Sequence, residues 1–337
     1  MPPDLLRRCR LLAGPTACGK SATALLLAQR WNAEILSLDS MAVFRGMDVG
    51  TAKPTAAERA VVPHHLLDLA EPTETFSVAR YLEHAEAAAL DVLNRGKVPL
   101  FVGGTGFYLR SLLRGLGDVP ASDAALRAEL EAEIEARGPE ALHATLAAVD
   151  PAAAAGIYTT DARRIVRALE VIRLTGEPFS ASRPTDDPLP PADRPALCVW
   201  LDPPRPVRWD RIHRRVDRML EEGLVEEVNR LRTDPGLGAT ARQGLGYKEI
   251  LDHLEDGVPL AECVARLKTR TRQFSKRQCT FFRGLPEVQR VPLSGDEDAA
   301  GLAALVAAFP IGEGTMSPRR KRRPSAQPHV TATSEEA

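Results

Sequence analysis

Apolar and polar positions alternate between two periods along the first part of the chain. Cys9 to Ala13 is a short apolar run, and Gly19 to Trp31 follows with helical character. Ala33 to Asp39 is a second apolar run that ends on a carboxylate. Arg45 to Thr75 keeps no period and is punctuated by Gly46, Gly50, Pro54, Pro63 and Pro72, so a loop is expected. Val78 to Asn94, rich in Ala and Leu and closed by Gly96, predicts a helix. Val98 to Val102 is a third strand-like run entering Gly103-Gly104-Thr105-Gly106, and a helix is expected over Phe107 to Leu113. Strands alternating with helices predict an α/β fold, a parallel sheet with helices on both faces. Ligands of such sheets bind beyond the carboxyl ends of the strands. Gly14, Asp39 and Thr105 all stand at such ends, so one crevice could gather them.

The pattern then changes. From about Ser122 to Thr175 it is almost wholly helical, with Asp123 as an N-cap and a break at Gly138-Pro139. Pro178 to Pro195 is proline-rich and reads as a connector, and Ala196 to Leu201 returns as a strand before Asp202. Residues 118–195 are therefore expected to form a helical insertion in a core made by 1–117 and 196–310. Helices are expected over Arg205–Arg232 and about Tyr247–Phe282, and a last short strand over Glu287–Val291. Residues 311–337 have tail-like composition with a basic cluster at Arg319, Arg320, Lys321, Arg322 and Arg323, which predicts a disordered, solvated tail.

Composition adds limits rather than direction. The chain has 337 residues, 44% hydrophobic and 26% charged, which suits two domains or one domain with an insertion. A formal net charge of -1 means that any nucleic-acid surface must come from local clustering. Cys9, Cys18, Cys198, Cys263 and Cys279 are scattered, without a CxxC pair, so a reducing, cytoplasmic setting is the simplest. The amino terminus lacks an apolar stretch of signal-peptide length, and no apolar run is long enough to span a bilayer.

The strongest chemical signal is Gly14-Pro15-Thr16-Ala17-Cys18-Gly19-Lys20-Ser21, which fits G-x-x-x-x-G-K-[ST] between a strand and a helix. Such a loop turns its N–H groups toward one anion at a helix N-terminus. Lys20 is a point charge for phosphate oxygens, and the Ser21 hydroxyl can sit on Mg²⁺. The loop implies a diphosphate or triphosphate without saying whether it belongs to a nucleotide. A second signal is the cationic run Arg266, Lys268, Arg270, Arg272, Lys276, Arg277 and Arg283, with Leu267, Phe274 and Phe281 as a narrow apolar stripe. No acidic i,i+4 partner lies between Lys268 and Arg283, so the run reads as a nucleic-acid surface or as a solvated helix face. Asp39 could serve as a magnesium ligand, a general base or a turn residue. Strand three has no carboxylate at its tip, which argues against an ordinary ATPase. Arg211, Arg215 and Arg218 share one helix face that could close over a diphosphate. His64 and His65 have no metal-ligand spacing.

Taken in order, several stretches resemble one family, the tRNA dimethylallyltransferases, also called tRNA isopentenyltransferases. They are GPTACGKS at 14–21, DSMAVFRGMDVGTAKP at 39–54, PHHLLD at 63–68, VGGTGFYL at 102–109, RRIVRALEV at 163–171, GLGYKE at 244–249 and KRQCTFFR at 276–283. The resemblance implies a P-loop NTPase-like core whose loop holds dimethylallyl diphosphate, a Mg²⁺ requirement, and an insertion that clamps the tRNA anticodon stem-loop. It implies transfer of the dimethylallyl group to N6 of the adenosine 3′ of the anticodon, position 37, in tRNAs reading U-initial codons, by a monomer. The family's catalytic aspartate matches Asp39, and its phosphate-contacting threonine matches Thr105. Lys20 and an arginine such as Arg211 or Arg215 would hold the leaving diphosphate. The tRNA-contacting stretches match Asp39, Ser40, Met41 and Ala42, then Arg163, Arg164, Ile165, Val166 and Arg167. They continue with Arg242, Gln243, Gly244, Leu245, Gly246 and Tyr247, and with Lys276, Arg277, Gln278, Cys279, Thr280, Phe281, Phe282 and Arg283. Thr105 and Arg127 match further tRNA contacts. Ala42 and Phe44 stand where many members carry Gln and Tyr, and Leu245 where Ile is usual.

Three other readings share parts of this pattern. A small-molecule P-loop kinase would share the loop and sheet. An isopentenyltransferase acting on free adenine nucleotides would share the loop as well, although the long insertion and basic helix favour a macromolecular acceptor. An RNA-binding protein with a degenerate loop would share the basic helix, but Gly14, Gly19, Lys20 and Ser21 are intact.

Overall fold

The computed structural model describes residues 1–117, 119–182 and 187–310. The basic tail, residues 311–337, lies outside them, as does part of the Pro178–Pro195 connector.

Among the described residues six strands form one parallel sheet: β1 (Arg10–Ala13), β2 (Ala33–Leu38), β3 (His64–His65), β4 (Val98–Gly103), β5 (Leu197–Asp202) and β6 (Gln289–Pro292). Their spatial order is β3-β2-β4-β1-β5-β6. Strand residues alternate between the two faces. Leu12, Ile35, Leu100, Val102, Val199 and Leu201 pack under the helices Lys20–Trp31 and Ala299–Ala307. Leu11, Leu36, Leu38, Phe101 and Trp200 pack on the other face, where the helices Val78–Asn94, Gly106–Arg114 and Leu260–Arg283 lie. Both faces are covered, which is why the strands read as continuous apolar runs. A fully buried side chain of this size contributes about 2 kcal/mol.

Expectation and structure differ where punctuation is subtle. The run Arg205–Arg232 is two helices, Arg205–Glu221 and Leu224–Thr233, because Gly223 takes a left-handed φ of 96°. The run from Tyr247 is likewise two, Tyr247–Asp256 and Leu260–Arg283, parted by Gly257 at φ 70° and by Pro259. The loop between Arg45 and Thr75 contains β3 and a helix, Ala56–Val61, opened by a Thr55–Glu58 capping box. Helix Ala299–Ala307 is apolar on every side and shows no period; Asp298 caps it, accepting from Gly301 N at 2.7 Å.

The helices between Ala124 and Ser182 gather around an apolar cluster of their own, including Leu130, Leu142, Leu146, Ile165 and Leu169. Glu170 ties this unit together. Its buried carboxylate accepts from Ser122 Oγ (2.6 Å), Asp123 N (2.9 Å), Arg127 Nη2 (2.8 Å) and Arg167 Nη1 (2.7 Å). Burial alone would raise its pKa. The hydrogen bonds from Ser122, Arg167 and Arg127 and the Arg127 charge outweigh burial and bring it to about 2.

Candidate active site

The carboxyl ends of β1, β2 and β4 meet at one level, since Ala13 and Leu38 both pair with Gly103. Gly14, Asp39 and Gly104 therefore leave the sheet side by side. This closeness needs glycine. A Cβ on Gly103 would lie 2.1 Å from the Leu38 carbonyl oxygen, and one on Gly104 would lie 2.4 Å from Gln278 Nε2.

The loop after β1 turns through left-handed backbone at Ala17 (φ 62°) and Gly19 (φ 94°). The N–H groups of Ala17, Gly19, Lys20, Ser21 and Ala22 have no acceptor among the described residues. The first half of the loop is committed elsewhere. Gly14 N donates to the Gly103 carbonyl at 3.2 Å, Thr16 N donates to Gln278 Oε1 at 2.8 Å, and Pro15 has no N–H. The expected eight-residue cradle thus divides, with Ala17 to Ser21 facing the cleft and Gly14, Pro15 and Thr16 supporting it from behind.

That cleft, about 500 Å³, is lined by Ala17 to Ala22, by Arg211, Arg214, Arg215 and Arg218, and by Glu297, Ala299 and Leu302. The helical spacing brings the arginine face over the loop. Arg211 Nη2 donates to the Gly295 carbonyl at 3.0 Å, and Arg214 pairs with Asp210 at 2.5 Å. Lys20, Arg215 and Arg218 have no side-chain partner among the described residues. Burial holds the Arg215 guanidinium below its ordinary pKa, and the charge of Asp39 opposes that shift. Glu297, the acidic member of the lining, is occupied by its own turn, accepting from Ser294 N (2.7 Å), Ser294 Oγ (2.7 Å) and Gly295 N (2.8 Å). The result is a concentrated positive field with an anion-binding loop at its floor.

Asp39 closes the side of the site. Its Oδ1 accepts from Met41 N (2.8 Å) and Ala42 N (3.3 Å), an Asx turn. Its Oδ2 has no partner among the described residues. Thr105 braces the same turn: its Oγ1 accepts from Ser40 N at 3.1 Å and lies 3.5 Å from Ser40 Oγ. Below, Tyr81 and Tyr108 stack at 4.1 Å between centroids, and Tyr81 Oη donates to the Ser37 carbonyl at 2.9 Å. Burial, with the charge of Asp39 adding to it, raises both phenols above their ordinary range. Ala42 and Phe44 are buried, Phe44 completely, so the Phe44 ring belongs to the core and not to the site.

The long helix Leu260–Arg283 separates into two halves. Lys268 meets Asp217 at 2.5 Å, Arg270 meets Glu249, and Arg266 meets Asp252 at 3.3 Å. These carboxylates come from other helices, so the local sequence hides them. The buried stripe also differs from Leu267-Phe274-Phe281. It runs through Cys263, Leu267, Thr271, Ser275, Gln278, Cys279 and Phe282, and Phe274 and Phe281 are half-buried. In the second half Lys276 and Arg277 are exposed and without acidic partners among the described residues, Arg277 lying over the Phe274 ring. With Gln273, Thr280 and Phe281 they line a shallow hollow of about 440 Å³.

The remaining predicted contacts divide in the same way. Arg163, Arg164, Gln243, Thr280 and Arg283 are exposed, while Ser40, Met41, Arg127, Arg167, Arg242 and Leu245 are half-buried. Ile165, Val166, Tyr247, Gln278, Cys279 and Phe282 are buried, so their side chains serve the cores and not a surface, and Gly244 and Gly246 are buried backbone. Sequence reasoning missed Glu227. Its carboxylate accepts from Asp48 N (2.9 Å), Val49 N (2.7 Å), Gly50 N (3.1 Å) and Tyr247 Oη (2.5 Å), anchoring the loop that follows the Asp39 turn. Glu227 lies 177 residues from Gly50 in sequence, and no local signal marks the pairing. Among the described residues no cluster of three or more His, Cys, Asp or Glu could hold a metal alone. Ser21 offers an exposed, unpartnered hydroxyl in the cleft. One hard oxygen ligand beside phosphate oxygens and water fits Mg²⁺, which takes few protein ligands at such sites.

Fold and cleft define an α/β protein of the phosphate-loop class, with a carboxylate turn beside an arginine-covered anion site. Residues 42–285 match the family model described as IPP transferase, and residues 7–68 that described as isopentenyl transferase. The chain is 45% identical over 300 residues to a tRNA dimethylallyltransferase of Roseiflexus sp. (strain RS-1), covering 88% of this chain and 96% of that one. It is 47% identical over 296 residues to that of Geobacter metallireducens, covering 87% and 94%. Its structure is similar to the full-length tRNA isopentenylpyrophosphate transferase from Bacillus halodurans, with TM-score 0.63, 40% identity, and coverage of 88% and 94%. A eukaryotic dimethylallyltransferase described as acting on tRNA gives TM-score 0.68 at 28% identity, covering 85% and 74%. The chain belongs to the IPP transferase family, the tRNA dimethylallyltransferases.

Proposed function

We propose that this chain transfers the dimethylallyl group of dimethylallyl diphosphate to N6 of adenosine 37 in tRNA. One observation carries the reading at the level of the site. The free N–H groups of Ala17, Gly19, Lys20, Ser21 and Ala22 and the unpartnered Lys20, Arg215 and Arg218 side chains meet in one cleft.

The chemistry has two demands. The adenine N6 amine attacks C1 of the allyl group while the C1–O bond to diphosphate breaks and the leaving group takes the electron pair. Negative charge then grows on the diphosphate, where the loop N–H groups, Lys20 and the arginine face stabilise it. Ser21 would hold Mg²⁺ there, and the ion would supply further positive charge for the leaving group. The attacking nitrogen must also lose a proton. Asp39 is the base in this reading, because Oδ1 is fixed by the turn and Oδ2 is open to receive it. The target base leaves its stack to reach the site. The helical unit between Ala124 and Ser182 and the Lys276–Arg283 segment take the anticodon stem-loop from outside.

We place the reaction in the cytoplasm as the work of a single chain. The five cysteines are free and buried, as a reducing compartment allows. Among the described residues no helix is long and apolar enough to cross a membrane.

The test is a transfer assay with Mg²⁺, labelled dimethylallyl diphosphate and unmodified tRNA reading U-initial codons, with AMP, ADP or ATP as acceptor in parallel. Label at the adenosine 3′ of the anticodon is expected. Label in the free nucleotide moves the acceptor, and ATP consumption without label overturns the reading.

A further inference from the structure

Gln278 sits in the cationic half of the long helix but faces inward, 6% exposed, while Lys276, Arg277 and Thr280 around it face out. Its amide is fully directed. Oε1 accepts from Thr16 N in the phosphate loop at 2.8 Å, and Nε2 donates to the Gly104 carbonyl at 2.9 Å. An N–H on one side and a carbonyl on the other fix which end of the amide is which. Among side chains of this length only an amide meets both: glutamate lacks the donor, lysine lacks the acceptor and methionine has neither strongly. The fit is close, because a methyl on Gly104 would lie 2.4 Å from Nε2. One turn on, Phe281 of the same helix lies against Gly106, where a Cβ would come within 2.4 Å of the ring.

We infer that Gln278 is a positioning residue for the diphosphate. It sets the phosphate loop against the Gly104–Thr105 turn and ties both to the helix whose outer face receives the tRNA. The physical need is specific. Past Gly14, the supporting half of the loop has little else to hold it: Pro15 has no N–H, and Cys18 N turns back within the loop to the Pro15 carbonyl at 3.3 Å. Thr16 N is thus the loop's tie to the acceptor helix. Without Oε1 this N–H is unsatisfied in a half-buried place, and the loop relaxes to satisfy it. The free N–H groups from Ala17 onward then lose their common aim. Thr105, which follows the other bonded carbonyl, braces the Asp39 turn through Ser40 N. The one amide therefore bears on the diphosphate and carboxylate sides of the reaction together.

The inference rests on the proposed diphosphate site, and the experiment separates the two. Dimethylallyl diphosphate with Mg²⁺, in the absence of tRNA, is titrated calorimetrically into the full-length wild type and into Gln278→Met, Gln278→Glu and Gly104→Ala. tRNA affinity is measured in parallel without diphosphate. Gln278→Met is expected to weaken the diphosphate about tenfold, the effect of losing one to two buried hydrogen bonds. Gln278→Glu is expected to weaken it more, because a carboxylate then faces the Gly104 carbonyl beside an anion site. Gly104→Ala displaces Nε2 without substituting Gln278 and is expected to act in the same direction, which covers the case of a Gln278 variant that does not fold. tRNA affinity is expected to stay within about twofold, a split between substrates that general loss of folding does not produce. An unchanged diphosphate affinity in Gln278→Met and Gly104→Ala would overturn the inference. So would a loss confined to tRNA, which would make Gln278 an acceptor contact. Failure of the wild type to bind dimethylallyl diphosphate would overturn the proposed function, and this inference with it.

Discussion

Two sets of arginines in this molecule look alike in sequence and differ in kind. Arg215 and Arg218, over the phosphate loop, have no acidic partner among the described residues. Arg127 and Arg167, in the helical unit, share the buried carboxylate of Glu170 at 2.8 and 2.7 Å. The first set keeps its charge for something from outside. The second has used much of its charge to hold two helices, and the segment that leads into the first, in one arrangement. The long helix repeats the contrast within one element, since Lys268 and Arg270 are neutralised and Lys276 and Arg277 are not. A cation's function is thus set by the carboxylates that the fold brings to it.

The contrast can be broken in four ways. The largest effect is expected at the carboxylate kept free beside the open cations. Asp39→Ala should lower the single-turnover prenyl transfer rate about 10³-fold, the usual worth of a positioned base, with tRNA binding retained. Transfer near the wild-type rate would remove Asp39 from the proton step. Next come the open cations themselves. Lys20→Ala and Arg215→Ala should each raise the dissociation constant for dimethylallyl diphosphate by about 30-fold, as loss of a charge-assisted contact does. Arg215→Lys should recover only part of that, because an ammonium cannot form the bidentate pair. Wild-type affinity in Arg215→Ala would return the arginine face to ordinary surface.

Arg277→Glu should weaken tRNA binding about tenfold at moderate salt and reduce the slope of log affinity against log salt by about one. An unaltered slope would make this half of the helix a solvated face. The smallest effect on chemistry and the clearest on folding is expected at the paired set. Glu170→Gln should cost about 3 kcal/mol of stability, read by thermal melting, because a buried carboxylate that receives two guanidinium groups is removed from them. Diphosphate affinity should not move. The pH dependence follows from the sign of the shift. A carboxyl depressed in the folded state adds stability above its unfolded pKa, about 4.3, and loses it as the pH falls. For Glu170 the loss extends down to a folded value of about 2. Acid melts of the wild type should therefore steepen across that window, and those of Glu170→Gln should be flatter there.

Sequence and structure agree best where the determinants are local. The phosphate loop was legible because glycine spacing, a preceding apolar run and a following helix all lie within a few residues. Helix Val78–Asn94 was legible for the same reason, with its limits set by Ser77 and Gly96. The glycine breaks at Gly223 and Gly257 were visible as residues but not as ends, because a glycine inside a helical pattern can also be tolerated. The family motifs carried the reading further, to Asp39, Thr105 and the tRNA-facing stretches. They did not separate side chains that face out, such as Arg277, from those that face in, such as Gln278.

The chain's own sequence determined the strand and helix order, the phosphate loop and the place of Asp39 at a strand end, because these depend on neighbours a few residues apart. Tertiary structure alone decided which half of the loop is free, that Thr105 braces a turn, which arginines are neutralised, and that Gln278 and Glu227 hold the loops around the site. Those outcomes depend on contacts between residues far apart in sequence, among them the 262 between Thr16 and Gln278. Burial and partner charge at such distances arise only when the sheet brings the strand ends and the long helix to one edge.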